Sequence, residues 1–135
     1  MKGNGSINQD PVYGIKGILN PANTPGRRPW AAFTWVDTTG NFWLFGGGLY
    51  RNDLWKYDIT LNEWAWMSGD TILNASGEHG VKGVPGALNI PCARRESCSG
   101  WTDSLNNLWL FGGLGYDDSS HLGRSEEHTS ELQSH

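Results

Sequence analysis

The stretch NFWLFGG at residues 41–47 returns, with one substitution, as NLWLFGG at residues 107–113. The two copies lie 66 positions apart, and that offset holds without a gap far to either side. It carries Gly14-Ile15-Lys16-Gly17 onto Gly80-Val81-Lys82-Gly83, Asn23 onto Asn89 and Pro25 onto Pro91. It also carries Arg28 onto Arg94, Trp35 onto Trp101 and Asp37 onto Asp103. Between 8–47 and 74–113, fifteen of forty positions are identical. A chain that repeats itself at a fixed period of this kind builds one supersecondary unit several times over.

The strand reading of one unit follows from its residue types. WAAFTWVD at 30–37 is aromatic and β-branched and ends in Thr-Thr-Gly, which predicts a strand and a turn. In 41–47, Phe42 and Leu44 alternate with Trp43 and Phe45, so both faces are apolar and both are expected to be covered. NDLWKYD at 52–58 and EWAWM at 63–67 predict two more short strands around an ITLN turn. Four short antiparallel strands, covered on both faces and repeated head to tail, describe a blade of a β-propeller.

The double glycine Gly46-Gly47 after the second strand, followed by Tyr57 and Trp64, resembles the kelch motif. The longer phrases around NIPCARR, NNLWLFGGLGYD and NDLWKYD are similar to bacterial kelch-like repeats of galactose-oxidase-type propellers. The resemblance covers about residues 8–123. Kelch units are usually about 50 residues, and here 68–90 lengthens the unit as a Gly- and Asn-rich connection. Where the family commonly has Pro-Gly-Ala-Arg this chain has Pro91-Cys92-Ala93-Arg94, so Cys92 stands in place of a glycine. The resemblance implies an all-β fragment of a kelch-type propeller, secreted, serving as a scaffold for a protein or carbohydrate ligand. Its alternative implication is a galactose-oxidase-like copper radical oxidase whose active-site residues lie outside this chain. That enzyme needs a tyrosine cross-linked to cysteine, a second tyrosine and two histidine ligands. Tyr57 belongs to the blade motif, and no flanking motif marks Tyr13, Tyr50 or Tyr116 for such a role.

The expected organisation is a lead-in from a preceding blade at 1–29, a complete blade at 30–69 and a long connection at 70–94. A partial second blade follows at 95–123. The remainder, RSEEHTSELQSH at 124–135, lacks Trp, Gly and any strand pattern and resembles translated sequencing adapter. It is read as a non-native tail with few contacts to the body. A blade and a half cannot close a ring, so the missing blades of a parent chain are an expected partner.

Composition agrees with strands and excludes some partners. Nineteen Gly in 135 residues is about twice the usual ~7%, and eight Trp add bulky strand formers. A formal net charge of −4 argues against nucleic acid and anionic membranes, which call for a basic face. No apolar run approaches the ~20 residues of a membrane span, and the first ten residues have no signal-peptide core.

No catalytic, cofactor-binding or metal-ligating residue is assigned, and no cofactor is expected. His79 and His121 stand in separate loops without paired ligands two to four residues away, the usual mark of zinc sites. Asp117 and Asp118 lack EF-hand spacing. Cys92 and Cys98, six apart and running into a strand, are expected to be free thiols, because an extended stretch of that length overshoots disulfide reach. The Trp residues at 35, 43, 55, 64 and 66 are expected to be core rather than stacking platforms.

Strand parity divides the connections between two ends of the blade. The short turns 38–40 and 59–62 share one end; 48–51, 114–123 and the long 68–90 share the other. Recognition usually sits on loops held by a rigid scaffold, so the long-connection end is the expected ligand face. The competing reading makes 68–90 a structural strap, since it repeats Gly14, Lys16 and Gly17.

Overall fold

The computed structural model describes residues 5–116, and the backbone alone of 122–124 and 129–132. Every described element is a strand, and the protein is all-β, with no helix among the described residues. β1 (Phe33–Val36), β2 (Phe42–Phe45), β3 (Leu54–Asp58) and β4 (Glu63–Ser68) form a four-stranded antiparallel meander in chain order. β5 (Arg94–Thr102) and β6 (Leu108–Tyr116) begin a second sheet. There Trp101 pairs with Trp109 as Trp35 pairs with Trp43, so the 66-residue offset preserves the strand register.

The strands form where the aromatic and β-branched residues are, but β1 starts at Phe33 rather than Trp30. Pro29 brings no N–H to a ladder, and Trp30 turns outward onto Arg95, whose guanidinium carbon is 4.8 Å from the indole centroid. Alternation within β2 then sorts the side chains into two faces. Trp43 and Phe45 point with Trp35 and Leu54 toward the second sheet and close one core with Leu108 and Leu110. Leu44 joins Trp55, Tyr57 and Trp64 on the opposite face, where Tyr13 of the lead-in packs against Trp55 and Trp66. Tyr57 and Trp64, cross-strand partners on that face, bring their rings to 5.0 Å.

The conserved offset has a visible chemical cause in the β1–β2 turn. The Asp37 carboxylate accepts from the Trp43 indole N–H at 2.8 Å and from the backbone N–H of Thr39 and Asn41. Asp103 does the same for Trp109 at 2.9 Å and for Leu105 and Asn107. One carboxylate thus ties the turn and orients the indole of the next strand. Burial pushes the Asp37 carboxyl up, but the donors from Trp43, Thr39 and Asn41 outweigh it and its pKa falls below the ordinary value. The Trp109 indole leads the donors that lower Asp103 to about 2. Because the folded state holds these groups below their unfolded pKa near 4, their stabilisation is complete above that pH. It is lost as pH falls from about 4 toward 2. Urea midpoints should drop over that window, and Asp37→Asn with Asp103→Asn should flatten the drop; an unchanged slope in the double variant refutes the assignment.

The glycine pair lets the sheets meet at one end. Gly47 has φ 76° and donates its N–H to the Arg94 carbonyl at 2.9 Å. A Cβ on it would sit 2.6 Å from the Ala32 Cα, and one on Gly46 would sit 2.5 Å from the Arg94 carbonyl oxygen. Only glycine permits that approach.

The offset extends into the connections. Asn23 donates from its side chain to the Ile18 carbonyl as Asn89 does to that of Val84. Val12 bridges Thr24 as Glu78 bridges Ile90. Arg28 reaches the Gly46 carbonyl and Arg94 that of Gly112. Residues 8–28 and 74–94 are therefore the same strap, and the strap reading of 68–90 describes its backbone. The first strap lies along β4, with Gly17 donating to the Trp66 carbonyl at 2.7 Å.

The tail differs from expectation. β7 (Leu122–Arg124) and β8 (Thr129–Leu132) both pair with β6, and β8 lies on Leu108–Phe111, in the place that β3 takes beside β2. The reason is general: an uncovered strand edge presents N–H and C=O groups that any extended backbone can fill, whatever its side chains. Asp117, Asp118 and His121 lie outside the described residues.

Candidate functional site

The long connections and the starts of β1 and β5 gather at one end of the two sheets. The bulge in β5 dominates that end. Arg95 pairs with Leu114 and Cys98 with Gly112, so two residues, Glu96 and Ser97, face one on β6. Both lie in the left-handed region, with φ of 33° and 59°. For residues with a Cβ this conformation is strained, and such strain gathers at binding sites. Beside the bulge lies a cleft of about 160 Å³, lined by Ala32, Phe33, Phe45, Arg94, Glu96 and Cys98 among others. The Glu96 N–H still reaches the Ala31 carbonyl at 3.2 Å and holds the rim.

Arg95 stands beside the bulge. Its guanidinium carbon lies 4.2 Å from the Tyr50 ring centroid and 4.8 Å from that of Trp30. Tyr50 in turn meets Tyr116 edge-on at 5.3 Å. Glu96 approaches the guanidinium at 3.7 Å, and the buried Nε of Arg95 has no hydrogen-bond partner. Trp30 is exposed. The result is a shelf of aromatic faces around a fixed cation, flanked by a carboxylate. It can stack on a planar or sugar ring and donate hydrogen bonds to oxygen acceptors. The cleft is smaller than the 300–1,000 Å³ typical of small-molecule pockets, so it suits one side chain or one sugar ring.

Two cysteines and a histidine lie close by. Neither cysteine forms a disulfide, as the spacing implied. Burial pushes the Cys98 thiol pKa up, with Arg94 offsetting part of the rise, and a protonated thiol is a poor nucleophile. His79 has no partner at zinc-ligand spacing along the chain, but in the fold its Nε2 is 3.4 Å from the Cys92 sulfur. The Glu78–Ile90 bridge folds the strap back and brings together residues thirteen apart, which linear spacing does not reveal. Cys92 is buried and His79 exposed. Among the described residues no three His, Cys, Asp or Glu side chains gather closely enough to hold a metal ion.

A second polar cluster lies inside the first unit. Asp53, fully buried, accepts two bonds from Arg28 at 2.7 and 2.6 Å, one from Tyr13 at 2.9 Å and one from the Trp55 indole at 2.8 Å. Arg51 donates to the Tyr13 oxygen. Burial, then the Asp53 charge, raises the Tyr13 hydroxyl to about 12. Tyr13 is thus a neutral donor that clamps the lead-in to the sheet.

Neither the Arg95 shelf nor the Arg28–Asp53 pair was assigned from the sequence. The repeat could have flagged Arg28, whose counterpart is Arg94; nothing comparable marks Arg95, whose counterpart is Pro29. No family model, curated protein or solved structure matches the chain. Among the described residues no helix is long and apolar enough to cross a membrane.

Proposed function

We propose that the chain is part of a kelch-type β-propeller that acts as a binding scaffold, presenting the long-connection end of its blades to a protein or glycan. The observation that carries the reading is Arg95 held between Tyr50 and Trp30 beside a strained bulge. Arginine, tyrosine and tryptophan are the side chains enriched in binding hot spots. The kelch resemblance further suggests a secreted parent. The copper-oxidase alternative has less support: Tyr13 is committed to Asp53 and Tyr57 to Trp64, while Tyr50 and Tyr116 pack on each other.

Arrays of glycans and acidic peptides test the proposal. A ligand should be found whose affinity falls roughly 30-fold or more on Arg95→Ala, the size of a hot-spot loss, with the urea midpoint nearly unchanged. Full affinity in Arg95→Ala, together with a loss on changes in 38–40 or 59–62, would place binding at the opposite end.

A further inference from the structure

We propose that copies of this chain associate head to tail, the Trp101, Trp109 and Phe111 face of one packing on the Thr34, Val36, Phe42 and Leu44 face of the next. The interface inside the chain supplies the template. Sheet one covers Trp35, Trp43 and Phe45 with the back of sheet two, leaving them 4%, 1% and 1% exposed. Their counterparts one repeat later face the other way. Trp101 is 49% and Phe111 43% exposed, with the Trp101 and Trp109 rings stacked 5.8 Å apart. The complementary surface is open too. In sheet two, Leu108 and Leu110 are fully buried against sheet one. Gly100 lets the Phe33 ring come within 2.7 Å of where its Cβ would be, and Thr102 donates to the Val36 carbonyl.

The counterparts of these back-face residues in sheet one are Phe42, Leu44, Thr34 and Val36. Phe42 is 38% and Val36 53% exposed, Thr34 is exposed and Leu44 half-buried. The lead-in strap covers the other half of that back face, over Trp55 and Trp66, and leaves this half clear.

A second copy therefore brings to each open face the repeat counterpart of the surface that the internal interface uses, with Ser99 and Thr34 standing where Phe33 and Gly100 stand. Because the two surfaces differ, the contact is heterologous, and each copy added leaves a new front and a new back. Such a contact closes into a ring or extends as a filament, according to the rotation between copies. The proposal rests on the equivalence of the two sheets and not on any ligand at Arg95.

Sedimentation velocity and light scattering on the 135-residue chain test it. The wild type should exceed the 14.9 kDa monomer, with a mass that grows with concentration. Phe111→Asp, which blocks the front, and Phe42→Asp, which blocks the back, should each be monomeric with unchanged near-ultraviolet circular dichroism. Mixed one to one, they should form a dimer and nothing larger, since one front and one back survive between them. If either substitution disturbs folding, Trp101→Asp or Thr34→Arg at a neighbouring exposed position replaces it. A monomeric wild type overturns the proposal. So does a Phe42→Asp variant that still assembles, which would mean front-to-front pairing or an unrelated surface, and so does a mixture that stays monomeric.

Discussion

Asp53→Ala should cost about 3–5 kcal/mol of unfolding free energy, the range for breaking a buried ion pair by removing one partner. Asp53 is fully enclosed and the Arg28 side chain only 8% exposed. Arg28 would keep its bonds to the Pro25 and Gly46 carbonyls but lose its counter-charge. The Tyr13 hydroxyl and the Trp55 indole would lose their acceptor at the same time. Domains of this size hold only about 5–15 kcal/mol in total, so the variant should lose a large share of its stability. Asp53→Asn should fall between, because it keeps one acceptor oxygen and removes the charge. Removing both charges, with Arg28→Met and Asp53→Leu, should recover part of the loss but not all, since Tyr13 and Trp55 stay without their acceptor. Equilibrium urea unfolding followed by tryptophan fluorescence measures each of these. A loss below about 1 kcal/mol for Asp53→Ala would mean the cluster is open to water and does not clamp the lead-in.

That cluster marks the limit of what the sequence discloses. The strands were legible because their signals are local. Alternation in Phe42 to Phe45, the aromatic run ending in Asp37, and the Asn62 turn each act within a few residues. The repeat extended that reach: it paired Asp37 with Asp103 and Arg28 with Arg94, four residues that hold turns and sheet ends in the structure. Their strand positions also marked Trp35, Trp43, Trp55, Trp64 and Trp66 as core, and the first four are buried while Trp66 packs partly buried against them. What stayed hidden depends on chain folding over longer distances. Asp53 meets Tyr13 across forty residues. Arg95 finds Trp30 and Tyr50 only because the glycine pair draws the two sheets together at that end. His79 reaches Cys92 only through the folded strap. The bulge at Glu96 and Ser97 has no Gly, Asn or Asp to announce its positive φ, and the pairing of Thr129–Leu132 with β6 uses backbone groups that every sequence possesses.

The central claim is that the two sheets are one module used twice, with its front covered in the first use and open in the second. Phe45 and Phe111 isolate it. They are the same residue at the same place in the strand, opposite Phe33 and Ser99 in equivalent register. Phe45 is 1% exposed and Phe111 43%. Truncating a buried phenylalanine removes its transfer free energy and leaves a cavity, about 3–5 kcal/mol; truncating one that already meets water leaves little of either. The deciding measurement is the difference between Phe45→Ala and Phe111→Ala in urea unfolding, at a protein concentration low enough to keep the chain monomeric. The account predicts a loss of about 3–5 kcal/mol for Phe45→Ala and less than about 1 kcal/mol for Phe111→Ala. Equal losses at the two positions would contradict it.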